Sequence, residues 1–156
     1  MTFIVVGLDG SSTSRKAFHE AIRQATWRNA KVLALHVVHY PYGVGYPDLS
    51  VDWDFMDTAG EALLSREIAD LEELYDGSFP VQVDARLATG HCGVEMMKAA
   101  KGADGEDGAA LIVLGSRGYG SMRGLLLGSV TTYAVHHLTC PVLVVPADED
   151  EASASG

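Results

Sequence analysis

Residues 115–131 of the chain, Gly115-Ser-Arg-Gly-Tyr-Gly-Ser-Met-Arg-Gly-Leu-Leu-Leu-Gly-Ser-Val-Thr131, form a glycine-rich loop running into a helix start. The loop follows the apolar run Ala110-Leu-Ile-Val-Leu114, short and β-branched enough to read as a buried strand. Gly115, Gly118, Gly120 and Gly124 fall within the loop, and Gly128 stands where the next helix is expected to begin. Glycine costs backbone entropy, so this density is expected only where φ is positive or something must approach the backbone closely. Arg117 and Arg123 lie inside the loop, and Ser129 with Thr131 opens the helix. Exposed N–H groups, hydroxyls and cations at a strand-to-helix turn suit phosphate.

Outward from this loop, strand and helix signals alternate along the whole chain. Thr2–Leu8 reads as an apolar strand, and Asp9-Gly10-Ser11-Ser12 supplies a turn and N-cap candidates for a helix running to about Asn29. Lys31–Val38 reads as a second strand. Residues from about Tyr40 to Phe55 carry Pro41, Gly43, Gly45 and Pro47 and read as a loop. A helix is expected from about Met56 to Tyr75. Pro80–Leu87, with Val81, Val83, Ala85 and Leu87 on one face, reads as a third strand. A short helix over Gly93–Lys101, an acidic loop over Gly102–Gly108, strand four at Ala110–Leu114, a helix after Gly128 and strand five at Pro141–Val145 complete the order. Five strands alternating with four helices imply an α/β protein of three layers, a parallel sheet covered on both faces.

The bulk properties narrow the function. At 156 residues the chain makes one domain able to bury roughly two thirds of its unfolded surface. A net charge of −10 speaks against sequence-independent nucleic-acid binding, which depends on neutralising phosphates. No apolar run approaches the roughly 18 residues of a membrane span, and the N-terminal apolar run breaks at Gly7 without a basic region before it, so neither a span nor a secretory signal is expected. Cys92 and Cys140 show no metal spacing, and a reducing cytoplasm is the expected setting. Residues 147–156, rich in Asp, Glu, Ser and Ala, read as a disordered acidic tail.

The glycine loop is neither a Walker A loop, for which Gly-Lys-Ser/Thr is absent, nor a dinucleotide fingerprint, for which Arg123 stands where the third glycine belongs. Gly115-x-x-Gly118, nine intervening residues and Gly128-Ser129 instead resemble the nucleotide-binding signature of the universal stress protein family, in its ATP-binding branch. Val5-Val6-Gly7-Leu8-Asp9-Gly10-Ser11, Leu35-His36-Val37 and Cys140-Pro-Val-Leu-Val-Val-Pro146 carry the resemblance over nearly the whole chain, with a single domain at 1–146. It implies a sheet in the order 3-2-1-4-5, adenine-nucleotide alpha-hydrolase-like, with a switch point between strands one and four. Ligands bind outside the carboxyl ends of strands at such a point.

The resemblance further implies ATP, with Mg²⁺, as the ligand. Asp9 matches the acidic residue that bonds ribose hydroxyls; read by itself it is an N-cap candidate. Val37 matches the strand-two residue whose backbone meets adenine. Gly115 and Gly118 let the loop approach ribose and phosphate; Gly128, Ser129 and Val130 present amides and a hydroxyl at a helix N-terminus. Gly10, Ser11 and Arg117 are further candidates, with Ser121, Arg123 and Thr131 as weaker phosphate contacts. The strand Pro141–Val145 is expected to pair two copies, since an exposed apolar edge is normally covered.

Other features point less far. His36 and His39, three apart on a strand, face opposite sides and do not suit one metal. Gly90-His91-Cys92-Gly93 reads as a structural turn more readily than as a reactive thiol at a helix start. No nucleophile–base pair or metal cluster stands out in the sequence. A nucleotide-dependent regulatory module is therefore expected, with slow ATP hydrolysis or autophosphorylation at Ser129 or Ser121 as one alternative and an interaction protein with an unused pocket as another.

Overall fold

The computed structural model describes residues 1–39, 52–102, 108–118 and 127–148, the side chain of Trp53 excepted. The elements run β1 (Phe3–Leu8), α1 (Ser12–Arg28), β2 (Lys31–Val38), α2 (Trp53–Glu73), β3 (Val83–Thr89), α3 (Cys92–Lys101), β4 (Leu111–Gly115), α4 (Ser129–His137) and β5 (Val142–Val145). The sheet is parallel throughout, in the order β3-β2-β1-β4-β5. Parallel strands require crossovers, and the helices that provide them cover both faces.

Strand alternation divides the core into two layers. Ile4, Val6 and Leu8 point to one face with Val32, Ala34 and Val113, where they meet Ala17, Phe18, Ala21 and Ile22 of α1 and Leu64 and Leu71 of α2. Phe3, Val5, Leu33, Leu35, Ile112 and Leu114 point to the other face and meet Met96 and Ala99 of α3 and Ala134 of α4. Phe18 is fully buried, so its truncation to alanine would cost about 3–5 kcal/mol. The register sets Val5 opposite both Leu33 and Ile112, which makes β1 the central strand.

Helix ends follow local chemistry. Ser11 caps α1 by accepting the Ser14 N–H, and Asn29 closes it in the left-handed region at φ 51°. Asp52 caps α2 by accepting the Phe55 N–H at 3.1 Å, so the helix starts at Trp53, inside the stretch read as loop. The third strand also differs from its expected limits. Pairing of Val32 with Val83 through Val38 with Thr89 carries it to Thr89, while Pro80–Gln82 precede it. Val81 still packs against the α1–α2 layer with Val83 and Leu87, as their spacing predicts.

Order continues into the segment read as a disordered tail: the Ala147 N–H donates to Ser116 Oγ at 3.1 Å, and Asp148 pairs with Lys16 of α1. Residues 149–156, most of the acidic loop (103–107) and the aromatic loop residues Tyr40, Tyr42 and Tyr46 lie outside the described residues.

Candidate functional site

From β1 the chain builds outward through β2 to β3, then returns to place β4 on the other side of β1. Crossovers therefore leave β1 and β4 in opposite directions, and a crevice opens beyond their carboxyl ends. A cavity of about 890 Å³ occupies that position. Gly7, Leu35, Val37 and Leu114 line it from the strands, Gly115, Arg117 and Gly118 from the loop after β4, and Gly128, Ser129, Val130 and Thr131 from the start of α4. Asp9, His39, His91, Cys92 and Tyr133 complete much of the rim. A smaller cavity of about 240 Å³ lies at the amino end of the sheet, beside Phe3 and Lys31.

Asp9 follows directly on β1. Its Oδ1 accepts the Ser11 N–H at 2.9 Å and the Ser11 hydroxyl at 2.5 Å. Gly10 makes this turn possible with φ +81°. The helix cap is Ser11, not Asp9. A β-carbon on Gly118 would collide with Asp9 Oδ2, and one on Gly115 would come within 2.7 Å of Thr13 Cγ2. Neither glycine has positive φ, so close approach accounts for both.

α4 begins differently from the other helices. Ser11, Asp52 and His91 cap α1, α2 and α3 with side chains, whereas α4 starts at Gly128 with no side-chain cap. Its first N–H groups lack intrahelical partners and stand at the wall of the cavity, with the positive end of the helix dipole behind them. Arg117 Nε is buried beside the same opening, with no hydrogen-bond partner among the described residues. Thr131 donates to Gly115 O at 2.8 Å and the Gly128 N–H donates to Ser116 O at 2.6 Å, which ties the loop to the helix start. This end of the cavity offers N–H donors and a cationic side chain, the chemistry that suits an anion, while Leu35, Val37, Met96 and Leu114 make an apolar wall.

Residues 1–146 match the model of the universal stress protein family. The chain belongs to that family. A universal stress protein of Mycolicibacterium smegmatis is 33% identical over 91% of this chain and 45% of its own length; YxiE of Bacillus subtilis is 32% identical over 91% of this chain and 97% of its own. The chain thus spans about half of the mycobacterial relatives it matches. Among solved structures, UspA of Lactobacillus plantarum superposes with a TM-score of 0.77 at 28% identity, covering 92% of this chain and 97% of that one. A universal stress protein in complex with cAMP gives 0.65 at 25% identity, covering 93% and 96%.

Within this universal stress protein the fold brings together Asp9, Val37, Gly115, Arg117, Gly118, Gly128, Ser129, Val130 and Thr131, which were singled out from the sequence. Gly10 and Ser11 do not line the cavity; they shape the turn that presents Asp9. Ser121 and Arg123 lie outside the described residues.

Cys92, His91 and Tyr133 join the rim because α3 starts beside α4: a β-carbon on Gly93 would overlap the Tyr133 ring. His91 caps α3 by accepting the Val94 N–H, and its ring meets those of His39 and Tyr133. The Gly90–Gly93 turn is thus structural. Burial, with a smaller contribution from the Asp9 charge, pushes the Cys92 thiol above its ordinary range despite its place at a helix start. Glycine spacing gave no sign of these rim residues. Among the described residues no three His, Cys, Asp or Glu side chains are grouped to hold a metal ion, and no helix is long and apolar enough to cross a membrane.

Proposed function

We propose that this universal stress protein binds ATP in the crevice between β1 and β4 and acts as a nucleotide-dependent regulatory module of the stress response. The observation that carries the reading is the start of α4 without a side-chain cap, which opens on one cavity together with Asp9 and Arg117. An anion there would accept from first-turn N–H groups, a role that one cap side chain plays for a single N–H in each of the other described helices. The cavity volume falls within the range of small-molecule sites, about 300–1,000 Å³. The cAMP complex of a relative supports an adenine nucleotide as the ligand class.

In this reading Asp9 accepts from ribose hydroxyls, the Val37 backbone meets the base, and Gly115 and Gly118 admit the sugar and phosphates. Gly128, Ser129 and Val130 hold the phosphates at the dipole end of α4, with Arg117 supplying charge and Thr131 bracing the loop through Gly115. Ser121 and Arg123 are proposed as further phosphate contacts. Magnesium would arrive with the phosphates, keeping several of its waters, as it commonly does at nucleotide sites. The working unit is proposed as a cytoplasmic homodimer of 1–146 domains paired through the β5 edge. Equilibrium binding of labelled ATP to nucleotide-stripped protein tests the proposal: saturable binding is expected, and its absence overturns it.

The Ser129 hydroxyl at the phosphate end supports autophosphorylation or slow hydrolysis as a second reading. Intact mass and ADP release after incubation with Mg-ATP decide it. Unchanged mass and no ADP leave binding as the activity.

A further inference from the structure

Ser11 is drawn into the acidic turn without touching the cavity. Its Oγ lies 3.1 Å from the Ser14 N and 2.5 Å from Asp9 Oδ1. A backbone N–H can only donate, so Ser11 Oγ accepts from Ser14. Its single hydroxyl proton is then directed to the carboxylate, which only accepts when ionised. The Ser11 N–H donates to the same oxygen at 2.9 Å. Ser14 closes the ring: its hydroxyl donates to Ser11 O at 2.9 Å and accepts the Asp9 N–H at 3.4 Å. Two donors on Oδ1 hold the Asp9 side chain in one χ1 rotamer, and the opposite oxygen, Oδ2, lies against Gly118 at the mouth of the crevice.

We infer that Ser11 is a positioning residue for ligand recognition: it holds Asp9 Oδ1 so that Oδ2 is presented to the vicinal hydroxyls of a bound sugar. This rests on the nucleotide reading above and adds to it a residue that acts through Asp9 rather than on the ligand. Orientation matters because a hydrogen bond weakens steeply when its geometry departs from linear. A side chain free to change its χ1 rotamer would spend part of its time turned away from the sugar.

Ser11 also caps α1, and the two roles separate by substitution. Threonine keeps both cap and hydroxyl donor. Glycine keeps most of the capping preference and loses the hydroxyl, whereas alanine loses both. The experiment compares ATP with 2′,3′-dideoxy-ATP for the wild type, Ser11→Thr, Ser11→Gly and Ser11→Ala, and measures the Asp9 χ1 rotamer in ligand-free protein from three-bond couplings. Expected is equal discrimination in wild type and Ser11→Thr, and a loss of about tenfold in both Ser11→Gly and Ser11→Ala, the size set by a hydrogen bond to a charged group. The Asp9 rotamer should be single in the first pair and averaged in the second. Full discrimination and a single rotamer in Ser11→Gly, with only Ser11→Ala impaired, would reduce Ser11 to a helix cap and overturn the inference. Should wild-type protein bind neither nucleotide, the ATP reading fails, and the rotamer comparison still decides whether Ser11 orients Asp9.

Discussion

Gly118 lies against Asp9 so closely that a β-carbon there would overlap the carboxylate oxygen Oδ2, although the two residues belong to the turns that follow different strands, β4 and β1. The contact brings the acidic turn after β1 and the glycine loop after β4 together at the mouth of the crevice. Gly118 does not have positive φ, so the requirement is for space.

Gly118→Ala is therefore expected to displace the Asp9 carboxylate and weaken ATP binding by about tenfold or more, the equivalent of one charged hydrogen bond. Gly77→Ala is the contrasting control. Gly77 has φ +84° with nothing within 4 Å of a β-carbon, so alanine there strains the backbone and costs about 1 kcal/mol of stability without touching the site. Titration calorimetry and thermal denaturation of both variants check the contrast. Unchanged affinity in Gly118→Ala would remove that glycine from the binding account.

The alternation of apolar runs with helical stretches made a parallel sheet covered on both faces legible in the sequence, while its order and the switch point between strands one and four came from the family resemblance that the glycine spacing carries; the contact of Asp9 with Gly118 is seen only in the fold. Side-chain roles set by tertiary neighbours were not legible. Ser11 and Asp9 both read as cap candidates; in the fold Ser11 caps α1, while Asp9 accepts from Ser11 and lies against Gly118. Glu67 is one of several acids along α2 in the sequence, yet it is 7% exposed, with Arg15 Nε of α1 3.9 Å from its Oε1. The limits of β3 were fixed by pairing with β2, which the alternation in residues 80–87 does not encode.

Cys92 and Cys140 offer an internal comparison. Both are half-buried thiols pushed upward by burial, but only Cys92 is at the cavity. Both are expected to alkylate slowly at neutral pH and faster as pH rises. Saturating ATP should slow modification of Cys92 and leave Cys140 unchanged, as read by peptide mass spectrometry after iodoacetamide. Equal protection of both thiols would point to general tightening and against a ligand in the crevice.

Ser116 connects the loop to the chain after β5. Its N–H donates to Val145 O at 2.7 Å, and its Oγ accepts the Ala147 N–H at 3.1 Å. Ser116→Ala removes the side-chain bond at a buried position and should cost about 1 kcal/mol. Amide exchange at Ala147 is expected to quicken while β1 and β2 keep their protection. Unaltered exchange at Ala147 would show that the hydroxyl does not hold this segment.

β5 is an edge strand whose four residues, Val142–Val145, are all half-buried apolar side chains. Such an edge invites pairing with another chain. Sedimentation velocity at micromolar concentration is expected to find a dimer, and Val144→Lys should shift it to monomer. A wild-type monomer under those conditions contradicts pairing through this edge.

Glu67 gives the molecule a pH signature with a definite sign. Burial raises its carboxyl above the ordinary glutamate range, opposed by Arg15 and His36, while the Asp9 charge adds to the rise. The native state therefore holds this proton more tightly than the unfolded chain does. Its stabilising contribution is complete below the ordinary glutamate value and is lost as pH rises through the raised native value. Relative to Glu67→Gln, which carries no titrating proton, wild-type stability should decline across that window and be level beyond it. Arg15→Met removes the nearby cation, 3.9 Å from Glu67 Oε1, and should extend the decline to higher pH. Urea denaturation at a series of pH values measures all three proteins. A wild type that gains stability relative to Glu67→Gln as pH rises through the window would mean that ion pairing with Arg15 outweighs the cost of burying the charge.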